Sequence, residues 1–285
     1  MNTLASNSGK GDGTAPVIDQ RAVIAQDVLI GRNCVVSSGA VLCAGAILEA
    51  DVVVGPNVVF VEPTSTADGR AARVQQGVRV GANATIYPGV VLAAGSVVRP
   101  GAVVTRSVPP RAIVDGNPAA IVGYVGTEPG TASLATFAQA QGIAVERTPV
   151  QGVSVHTFPV VPDLRGSLTV GEFTKDIPFA PLRYFMVFGV PSKEVRGEHA
   201  HRQCHQFLIC VRGSCAVVAD DGARRVEIAL DAPNRGIYLP PMTWGIQYKY
   251  SADALLLVFA SLPYDSSDYI RDYADFLALN TRAKQ

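Results

Sequence analysis

The chain has 285 residues, and its 24 Lys and Arg balance its 24 Asp and Glu to a formal net charge of zero. This balance argues against nucleic acid or an anionic membrane as a partner, because either needs a basic excess on one face. Hydrophobic residues make up 48% of the chain and charged residues 17%, which excludes global disorder, since burial can offset chain entropy.

Targeting and redox signals indicate a cytoplasmic protein. The segment Met1–Gly13 is polar and contains no apolar core of signal-peptide length. No later run approaches the roughly 20 apolar residues of a membrane span. The five cysteines are odd in number and lack a CxxC pair, so we expect reduced thiols and no disulfide framework.

The composition divides the chain into two domains. Every histidine lies beyond residue 150, whereas the first half consists mainly of Val, Ala, Gly and Ile. Residues 126–149 mix Gly, Pro and Thr, which is typical of a linker, with one short helix predicted near Ser133–Gln141. We predict a flexible N-terminus (1–14), a first domain (15–125), this linker, and a second domain (150–285).

The first domain is a hexapeptide repeat. Every sixth residue from Ile18 to Phe60 is large and apolar, and the pattern resumes from Val80 to Val104. A period of six predicts a left-handed parallel β-helix with three flat faces and about 18 residues per coil. The alternative, an antiparallel sheet, would need hairpin signals that are absent. Residues 61–79 interrupt the repeat, so we predict an extruded loop there.

Two segments, Gly81–Ile86 and Asp115–Ala119, resemble the hexapeptide nucleotide-aminosugar N-acetyltransferases. The resemblance implies trimers, with acetyl-CoA as co-substrate in the groove between neighbouring prisms. From the sugar chemistry expected of the second domain, described below, the acceptor is expected to be the amine of a dTDP-3-amino-3,6-dideoxyhexose. The site candidates are Glu62, Asn83, Asn117 and Pro118.

The first domain contains no histidine, so the general base for acetyl transfer stays open. Acetyl transfer needs an uncharged amine, and many hexapeptide acyltransferases use a His as general base. Residues 1–150 contain none. Glu62 or Asp68 can accept the proton, or the amine can arrive neutral. The alternative is a trimerising scaffold without activity.

The second domain is predicted to be a cupin-like jelly roll, since short β-rich runs alternate with Gly, Pro and Asp clusters. A final amphipathic stretch, Asp268–Leu279, is predicted to be helical. The predicted strands are Val153–Val160, Ser167–Phe173, Arg183–Val190, Gln206–Arg212, Ser214–Ala219, Gly236–Leu239, Gly245–Tyr250 and Ala254–Ala260.

A pair of histidines marks the candidate site of this domain. His199 and His201 face the same side of a strand, because the side-chain period is two. In metal-binding cupins an acidic residue follows, but Gln206 stands here, and Trp244 stands where the second motif would supply a His. Two imidazoles and a neutral amide would hold a divalent ion weakly. We therefore predict acid/base work without a metal.

Further motifs resemble the WxcM-like nucleotide-sugar 3,4-ketoisomerases, metal-independent cupins that act on dTDP-4-keto-6-deoxyglucose. Some members are fused to an N-terminal hexapeptide acetyltransferase, which is the order found here. The matching segments are Asp163–Val170, Ile177–Phe179, Arg183–Tyr184, Arg196–Gly197, His199–His201 with Gln206, Gly213–Ser214, Asp220–Gly222 and Leu239–Pro241.

The resemblance implies roles for the site residues. His201 shuttles the proton from C3 to C4 of the sugar, and His199 orients or shares it. Arg183 and Arg196 neutralise the diphosphate through their guanidinium groups. Some members carry a further Tyr in the strand where this chain has Phe185, Met186 and Phe188.

Three other residues complete the candidate binding site. We expect Tyr184 and Gln206 to hydrogen-bond the sugar. Trp244 packs against the base or the sugar, or is a core residue.

Other function classes stay open at this point: a sugar-binding cupin without activity, a metal dioxygenase, and an epimerase with a differently spaced His and Tyr. Gln206 and Trp244 disfavour the dioxygenase. The two resemblances together imply a homo-oligomer, a trimer through the β-helix and a dimer through the cupin, which closes into a hexamer with D₃ symmetry.

Overall fold

The structure is a computed structural model that describes residues 2–3, 13–63, 70–129, 142–191 and 193–283. These residues form two units, Met1–Val125 and Gly126–Gln285. Most of the predicted flexible N-terminus and the helix predicted near Ser133–Gln141 lie outside the described residues. Among the described residues, no helix is long and apolar enough to cross a membrane.

Two-residue strands, one per hexapeptide, build the first unit as a parallel β-solenoid. Its three sheets contain five, seven and five strands, and the strands pair in parallel between neighbouring coils, except that the last strand pairs antiparallel with the one before it. The strands are β1 (Asn2–Thr3), β2 (Val17–Ile18), β3 (Val23–Ile24), β4 (Leu29–Ile30), β5 (Val35–Val36), β6 (Val41–Leu42), β7 (Ile47–Leu48), β8 (Val53–Val54), β9 (Val59–Phe60), β10 (Arg73–Val74), β11 (Arg79–Val80), β12 (Thr85–Ile86), β13 (Val91–Leu92), β14 (Val97–Val98), β15 (Val103–Val104), β16 (Ala112–Asp115) and β17 (Ala120–Tyr124).

The hexapeptide period places one large apolar side chain per strand inside the solenoid. Val35 pairs with Val53, 18 residues away, as the predicted coil length requires. The inward positions are buried from Ile30 to Phe60 and again from Val74 to Val104. The prediction of a β-helix is confirmed, and its core is a column of stacked Val, Ile, Leu and Phe side chains.

The interruption of the repeat is shorter than predicted. Ile47 pairs with Arg73, an offset of 26 residues, which is one coil plus eight residues. Val74 and Val78 are fully buried, so residues 73–79 belong to the solenoid and not to an extruded loop. The prediction for residues 61–79 was wrong in length, because the repeat resumes in register at Val74.

Asparagine and aspartate turn several corners of the solenoid. Asn33, Asp51, Asn57 and Asn83 all have a positive φ, between 56° and 62°. Asn and Asp tolerate this left-handed conformation better than most residues. Their side chains bond between coils: Asn33 donates to Asp51 at 2.8 Å, and Asn57 to Asn83 at 3.3 Å. These contacts give Asn83 a structural role at a corner.

The second unit is a jelly roll of two six-stranded sheets. Their strand orders are β18-β27-β26-β29-β24-β31 and β19-β20-β28-β25-β30-β23, and β21 and β22 form a separate hairpin. The elements are β18 (Glu128–Pro129), β19 (Ala144–Arg147), β20 (Ser154–Thr157), β21 (Val160–Asp163), β22 (Gly166–Thr169), β23 (Arg183–Phe188), β24 (Arg196–His201), β25 (Gln206–Arg212), β26 (Cys215–Asp220), β27 (Arg225–Leu230), β28 (Arg235–Leu239), β29 (Trp244–Tyr248), β30 (Leu255–Ala260), a 3₁₀ turn (Ser266–Asp268), β31 (Tyr269–Ile270) and α1 (Tyr273–Ala283).

Three local predictions for this unit need correction. Strand β27 was not predicted, although its Val226, Ile228 and Leu230 alternate and are buried. The final helix begins at Tyr273 and not at Asp268, because Tyr269–Ile270 pairs with β24 as a strand. The predicted linker contributes two strands to the sheets, β18 and β19.

The two sheets enclose the core of this unit. Inward-facing Val, Ile and Leu side chains from both sheets pack into one cluster, in which Phe185 and Val187 of β23 join from the edge. A second cluster of Phe158, Ile177, Phe179 and Phe207 packs separately. The two close-packed sheets therefore fix the positions of the polar side chains that lie between them, among them His201 and Gln206.

Candidate active site

A bulge in β24 sets the position of the two histidines. Gly197 pairs with Ile246 and His199 with Gly245, so Glu198 is an extra residue in the strand. Both bulge residues have a positive φ, 83° at Gly197 and 54° at Glu198. A Cβ at Gly197 would lie 2.6 Å from the carbonyl oxygen of Gly245, so only glycine fits there.

His199, His201 and Tyr269 form one cluster of rings. The two imidazole centroids lie 5.0 Å apart at a steep angle of 81°. Tyr269 pairs directly with His201 across β24 and β31. Its ring centroid lies 4.3 Å from that of His201 and 4.9 Å from that of His199. Cross-strand partners project to the same face, so the three side chains face one region.

The hydrogen bonds of His201 leave one ring nitrogen without a proton. Its Nδ1–H donates to Asp268 Oδ2 at 2.8 Å. Because a neutral imidazole carries one N–H, Nε2 then holds a free lone pair. The Gln206 amide nitrogen lies 3.0 Å from this Nε2 and donates to it. Gln206 belongs to the other sheet, so His201 points between the sheets.

Asp268 is held rigidly at the end of the 3₁₀ turn. Its Oδ1 accepts from the backbone N–H of Gln203 at 2.8 Å, and its Oδ2 also accepts from that of Cys204 at 3.3 Å. A carboxylate fixed by backbone donors fixes in turn the tautomer and orientation of the imidazole. No local sequence signal links Asp268 to His201, because it lies 67 positions away at the start of the predicted helix.

Both site histidines are neutral near pH 7. Burial lowers the pKa of His199 to about 4, against a smaller opposing effect of its hydrogen bond to the Gly197 carbonyl. Burial also lowers the pKa of His201, and the bond to Asp268 partly offsets this. The positive charges of Arg183 and Arg271 lower the His201 pKa further. A neutral imidazole is the form that accepts a proton.

Two arginines bring positive charge to the cluster. The Arg271 guanidinium carbon lies 4.3 Å from the ring centroid of Tyr269. The Arg183 guanidinium carbon lies 5.6 Å from the ring of Tyr264, whose centroid is 5.7 Å from that of Tyr269. The Arg183 Nε is buried and has no hydrogen-bond partner among the described residues. An unpaired buried donor next to a base suits an oxygen-bearing ligand.

Tyr184 does not join this cluster within one subunit. Arg183 and Phe185 face the inside of the jelly roll, and alternation along β23 turns Tyr184 to the outside. Tyr184 is 65% exposed. That it hydrogen-bonds the sugar stays a prediction, and within one subunit its side chain points away from the histidine cluster.

Arg196 and Trp244 also lie apart from the histidine cluster. Arg196 begins β24, roughly 15 Å from His201 along an extended strand, and is exposed. At this separation, Arg196 can contact only a part of the ligand that is far from the atoms next to His201. Trp244 is buried against Tyr273 and Phe276, with ring centroids at 5.2 and 5.5 Å. These are the contacts of a core residue, the alternative that the sequence left open.

One set of possible metal ligands occurs among the described residues. The ligand atoms of His201, Cys204 and Asp268 lie within 4.8 Å of one another. Both Asp268 oxygens already accept N–H donors, and the Cys204 thiol donates to a backbone carbonyl at 3.4 Å. A metal would have to replace these bonds, so the donor set fits a hydrogen-bonded dyad better than an ion.

The acetyltransferase candidates lie at two corners of the solenoid, with Asn83 and Asn117 after strands of the seven-stranded sheet and Glu62 after a strand of another sheet. Glu62 is exposed beside the eight-residue insertion. Asn83 lies at a corner, and Asn117 and Pro118 form the turn between β16 and β17. A groove between neighbouring prisms involves a second copy of the chain, so these positions alone do not define a site.

Comparison with protein families matches both halves of the chain. Residues 151–281 match the family described as WxcM-like, C-terminal. Residues 71–106 match the bacterial transferase hexapeptide (six repeats), and residues 21–58 match the hexapeptide repeat of succinyl-transferase.

A curated relative and several solved structures match the second half. The chain is 43% identical over 122 residues to a TDP-4-oxo-6-deoxy-alpha-D-glucose-3,4-oxoisomerase of Aneurinibacillus thermoaerophilus. The match covers 43% of this chain and 88% of the relative. A 3,4-ketoisomerase from Helicobacter canadensis is 36% identical, covers 46% of this chain and 98% of that one, and has a TM-score of 0.44. The sugar 3,4-ketoisomerase QdtA from Thermoanaerobacterium thermosaccharolyticum, solved with TDP, is 32% identical over 47% of this chain and 98% of that one, with a TM-score of 0.46.

Proposed function

The chain belongs to the WxcM-like family, and on that premise we propose that its second unit is a dTDP-sugar 3,4-ketoisomerase. Its substrate is dTDP-4-keto-6-deoxyglucose, and its product is a dTDP-3-keto-6-deoxyhexose with galacto or gluco configuration at C4. The observation that carries the proposal is the His201–Asp268 bond, which leaves His201 Nε2 as a base between the sheets. The activity named for the Aneurinibacillus relative supports the substrate class.

The reaction moves one carbon-bound proton. His201 Nε2 takes the proton from C3, next to the C4 ketone, and an enediolate forms. The same imidazole then returns the proton to C4, and the ketone is left at C3. One His can do both because its ordinary pKa lies near neutrality, so it takes and releases a proton readily.

The surrounding side chains bind and stabilise the substrate. Arg183 and Arg196 bind the diphosphate, and the unpaired Nε of Arg183 leaves a donor for a substrate oxygen. Gln206 occupies the lone pair of His201 in the free protein. When C3–H of the sugar takes that place, the Gln206 amide is free to donate to a sugar oxygen. Asp268 stabilises the imidazolium that forms after proton abstraction.

Incubation of the full chain with dTDP-4-keto-6-deoxyglucose in D₂O and EDTA tests this function. We expect NMR to show a 3-keto product despite EDTA, since a chelator does not affect an imidazole base. Deuterium appears at C4 to the extent that the imidazolium N–H of His201 exchanges with D₂O before the proton is returned. Absence of isomerisation with and without divalent ions contradicts the proposal. Activity that requires an added ion contradicts the metal-independent mechanism.

We propose a second activity for the first unit, acetyl transfer from acetyl-CoA to the amine of a dTDP-3-amino-3,6-dideoxyhexose. The match to two hexapeptide transferase families supports it. The chain carries eight residues beyond one coil length between Ile47 and Arg73, next to Glu62, and a plain trimerising solenoid does not need them. A separate aminotransferase would convert the 3-keto product to the amine between the two steps.

The full chain with His201→Asn separates the two activities. We expect this variant to acetylate the amino sugar at the wild-type rate, because the substitution lies in the other unit. Calorimetry of wild-type protein with millimolar CoA is the second measurement. If no CoA binds and no sugar is acetylated, the first unit is a trimerising scaffold and only the cupin unit is an enzyme.

A further inference from the structure

The isomerisation needs a second proton transfer, which His201 does not perform. The substrate has a hydroxyl at C3 and a ketone at C4, and the product has the reverse. Besides the proton that moves between the carbons, one must leave O3 and one must reach O4. Inward-facing Phe185 and Val187 on β23 offer no hydroxyl for this purpose. The group must be a weak acid close to His201.

Tyr269 has the required position. It lies directly opposite His201 in the β24–β31 pair, with ring centroids 4.3 Å apart. The Arg271 guanidinium covers its ring. Its side chain is partly exposed, and its hydroxyl has no hydrogen-bond partner among the residues that the structure describes. The phenol is therefore free to bond a substrate that reaches His201.

We propose that Tyr269 is a catalytic residue that carries the proton between O3 and O4. The inference rests on the proposed ketoisomerase function. As His201 Nε2 takes the C3 proton, the C3–H electron pair forms the C3=C4 bond, and O4 takes the hydroxyl proton of Tyr269. The tyrosinate then takes the O3 proton, the C3=O bond forms, and C4 takes the proton from His201. Both side chains return to their starting states without another reactant.

The neighbouring groups are less suited to this relay. The Nδ1–H of His199 is committed to the Gly197 carbonyl at 2.9 Å, and its low pKa makes Nε2 a weak base. Asp268 already accepts three N–H donors. Tyr264 is 63% exposed and lies one ring further out. A phenol adjacent to vicinal oxygens can donate to one and accept from the other.

The test is Tyr269→Phe in the full chain, with Tyr87→Phe as a matched control in the other unit. We expect kcat to fall by about 10²–10⁴-fold, the usual contribution of a general acid/base group. The dissociation constant for dTDP and the thermal midpoint should stay unchanged, because the described residues offer the lost hydroxyl no hydrogen-bond partner.

Two results overturn the inference. One is a Tyr269→Phe variant that retains more than a tenth of wild-type kcat. The other is a loss of dTDP affinity that equals the loss of activity, since that would mean a binding role. If the wild-type protein does not isomerise the sugar at all, the proposed function fails first, and the two failures are distinguishable.

Discussion

The hydrogen bond from His201 to Asp268 decides which nitrogen of the imidazole is available. With the proton on Nδ1, Nε2 is a base; with the opposite tautomer, it is not. The availability of His201 Nε2 as a base thus depends on which ring nitrogen the Asp268 carboxylate faces. The first three predictions follow from this arrangement and from burial of the pair.

His201→Asn should remove nearly all ketoisomerase activity, about 10²–10⁴-fold, because an amide cannot take the C3 proton. Its N–H can still donate to Asp268, so the dTDP dissociation constant should stay almost unchanged. NMR rates and calorimetry check both. Retention of more than a tenth of the wild-type rate would show that His201 is not the base.

Asp268→Asn should also lower kcat by about 10²–10⁴-fold, as loss of the correct tautomer does in other carboxylate–histidine pairs. The Asn amide can donate to Nδ1, which moves the ring proton to Nε2. Asp253→Asn is the matched control, since Asp253 lies in an exposed ion pair with Arg212. Steady-state kinetics with dTDP binding measure the effect. Equal activity of the two variants would contradict the positioning role.

The His199 pKa predicts a pH-dependent stability. In the unfolded chain this group titrates near 6.5, whereas in the folded protein it titrates at about 4. Between these values the unfolded state binds more protons, so the free energy of unfolding falls as the pH drops from 6.5 to 4. The contribution is fully present above pH 6.5.

Urea unfolding of wild type and His199→Gln from pH 7.5 to 4.5 measures this contribution. We expect the wild-type protein to lose stability more steeply than the variant as the pH falls. Buried His156, whose pKa is also lowered, titrates in both proteins and cancels in the difference. A constant difference across this range would refute the pKa shift.

At the scale of elements, the solenoid tolerates an insertion because each strand needs only its neighbours one coil away. Strand β10 pairs with β7 across the eight extra residues and with β13 at the normal spacing. Residues 64–69 lie outside the described residues and none of the described strands includes them, so their deletion keeps every described strand. Removal of residues 63–77, the loop as the sequence predicted it, would delete β10 itself.

We expect deletion of residues 64–69 to abolish acetyl transfer and to leave the ketoisomerase rate unchanged. The reason is that loops extruded from repeat scaffolds commonly form the binding face. Circular dichroism controls for the fold, and the two activities are assayed on the same preparation. If the deletion variant acetylates at the wild-type rate, the inserted residues do not contribute to the acetyltransferase site.

At the scale of the whole molecule, one sheet edge is suited to self-association. Strand β23 lies at the end of its sheet, and its outward Tyr184, Met186 and Phe188 are 65%, 48% and 67% exposed. An apolar cavity of about 220 Å³, lined in part by Leu257 and Phe259, opens on the same face. Such an uncharged face at an open sheet edge fits a second copy of this chain.

We therefore predict a hexamer, with threefold contacts between solenoids and twofold contacts between cupin units. Light scattering at micromolar concentration should give the mass of six chains. Phe188→Arg should reduce it to three, because a charge at the twofold contact is costly to bury. A monomeric mass for the wild type would refute both contacts.

Much of this protein could be predicted from the sequence, because its strongest signals are local. The period of six specified the solenoid, since each inward residue recurs at a fixed spacing along the chain. The spacing of His199 and His201 specified a shared strand face for the same reason. Alternation in Arg225–Leu230 was an available signal for β27 that the prediction missed.

Only the tertiary structure identified the groups that act on these histidines. Asp268 and Tyr269 reach His201 because β31 pairs with β24, and Gln206 reaches it across the two sheets. The same alternation that turns Arg183 inward turns Tyr184 away from the histidine cluster of its own subunit. The physical reason is that periodicity depends on neighbouring residues, whereas strand pairing across nearly 70 residues depends on how the whole jelly roll buries its core.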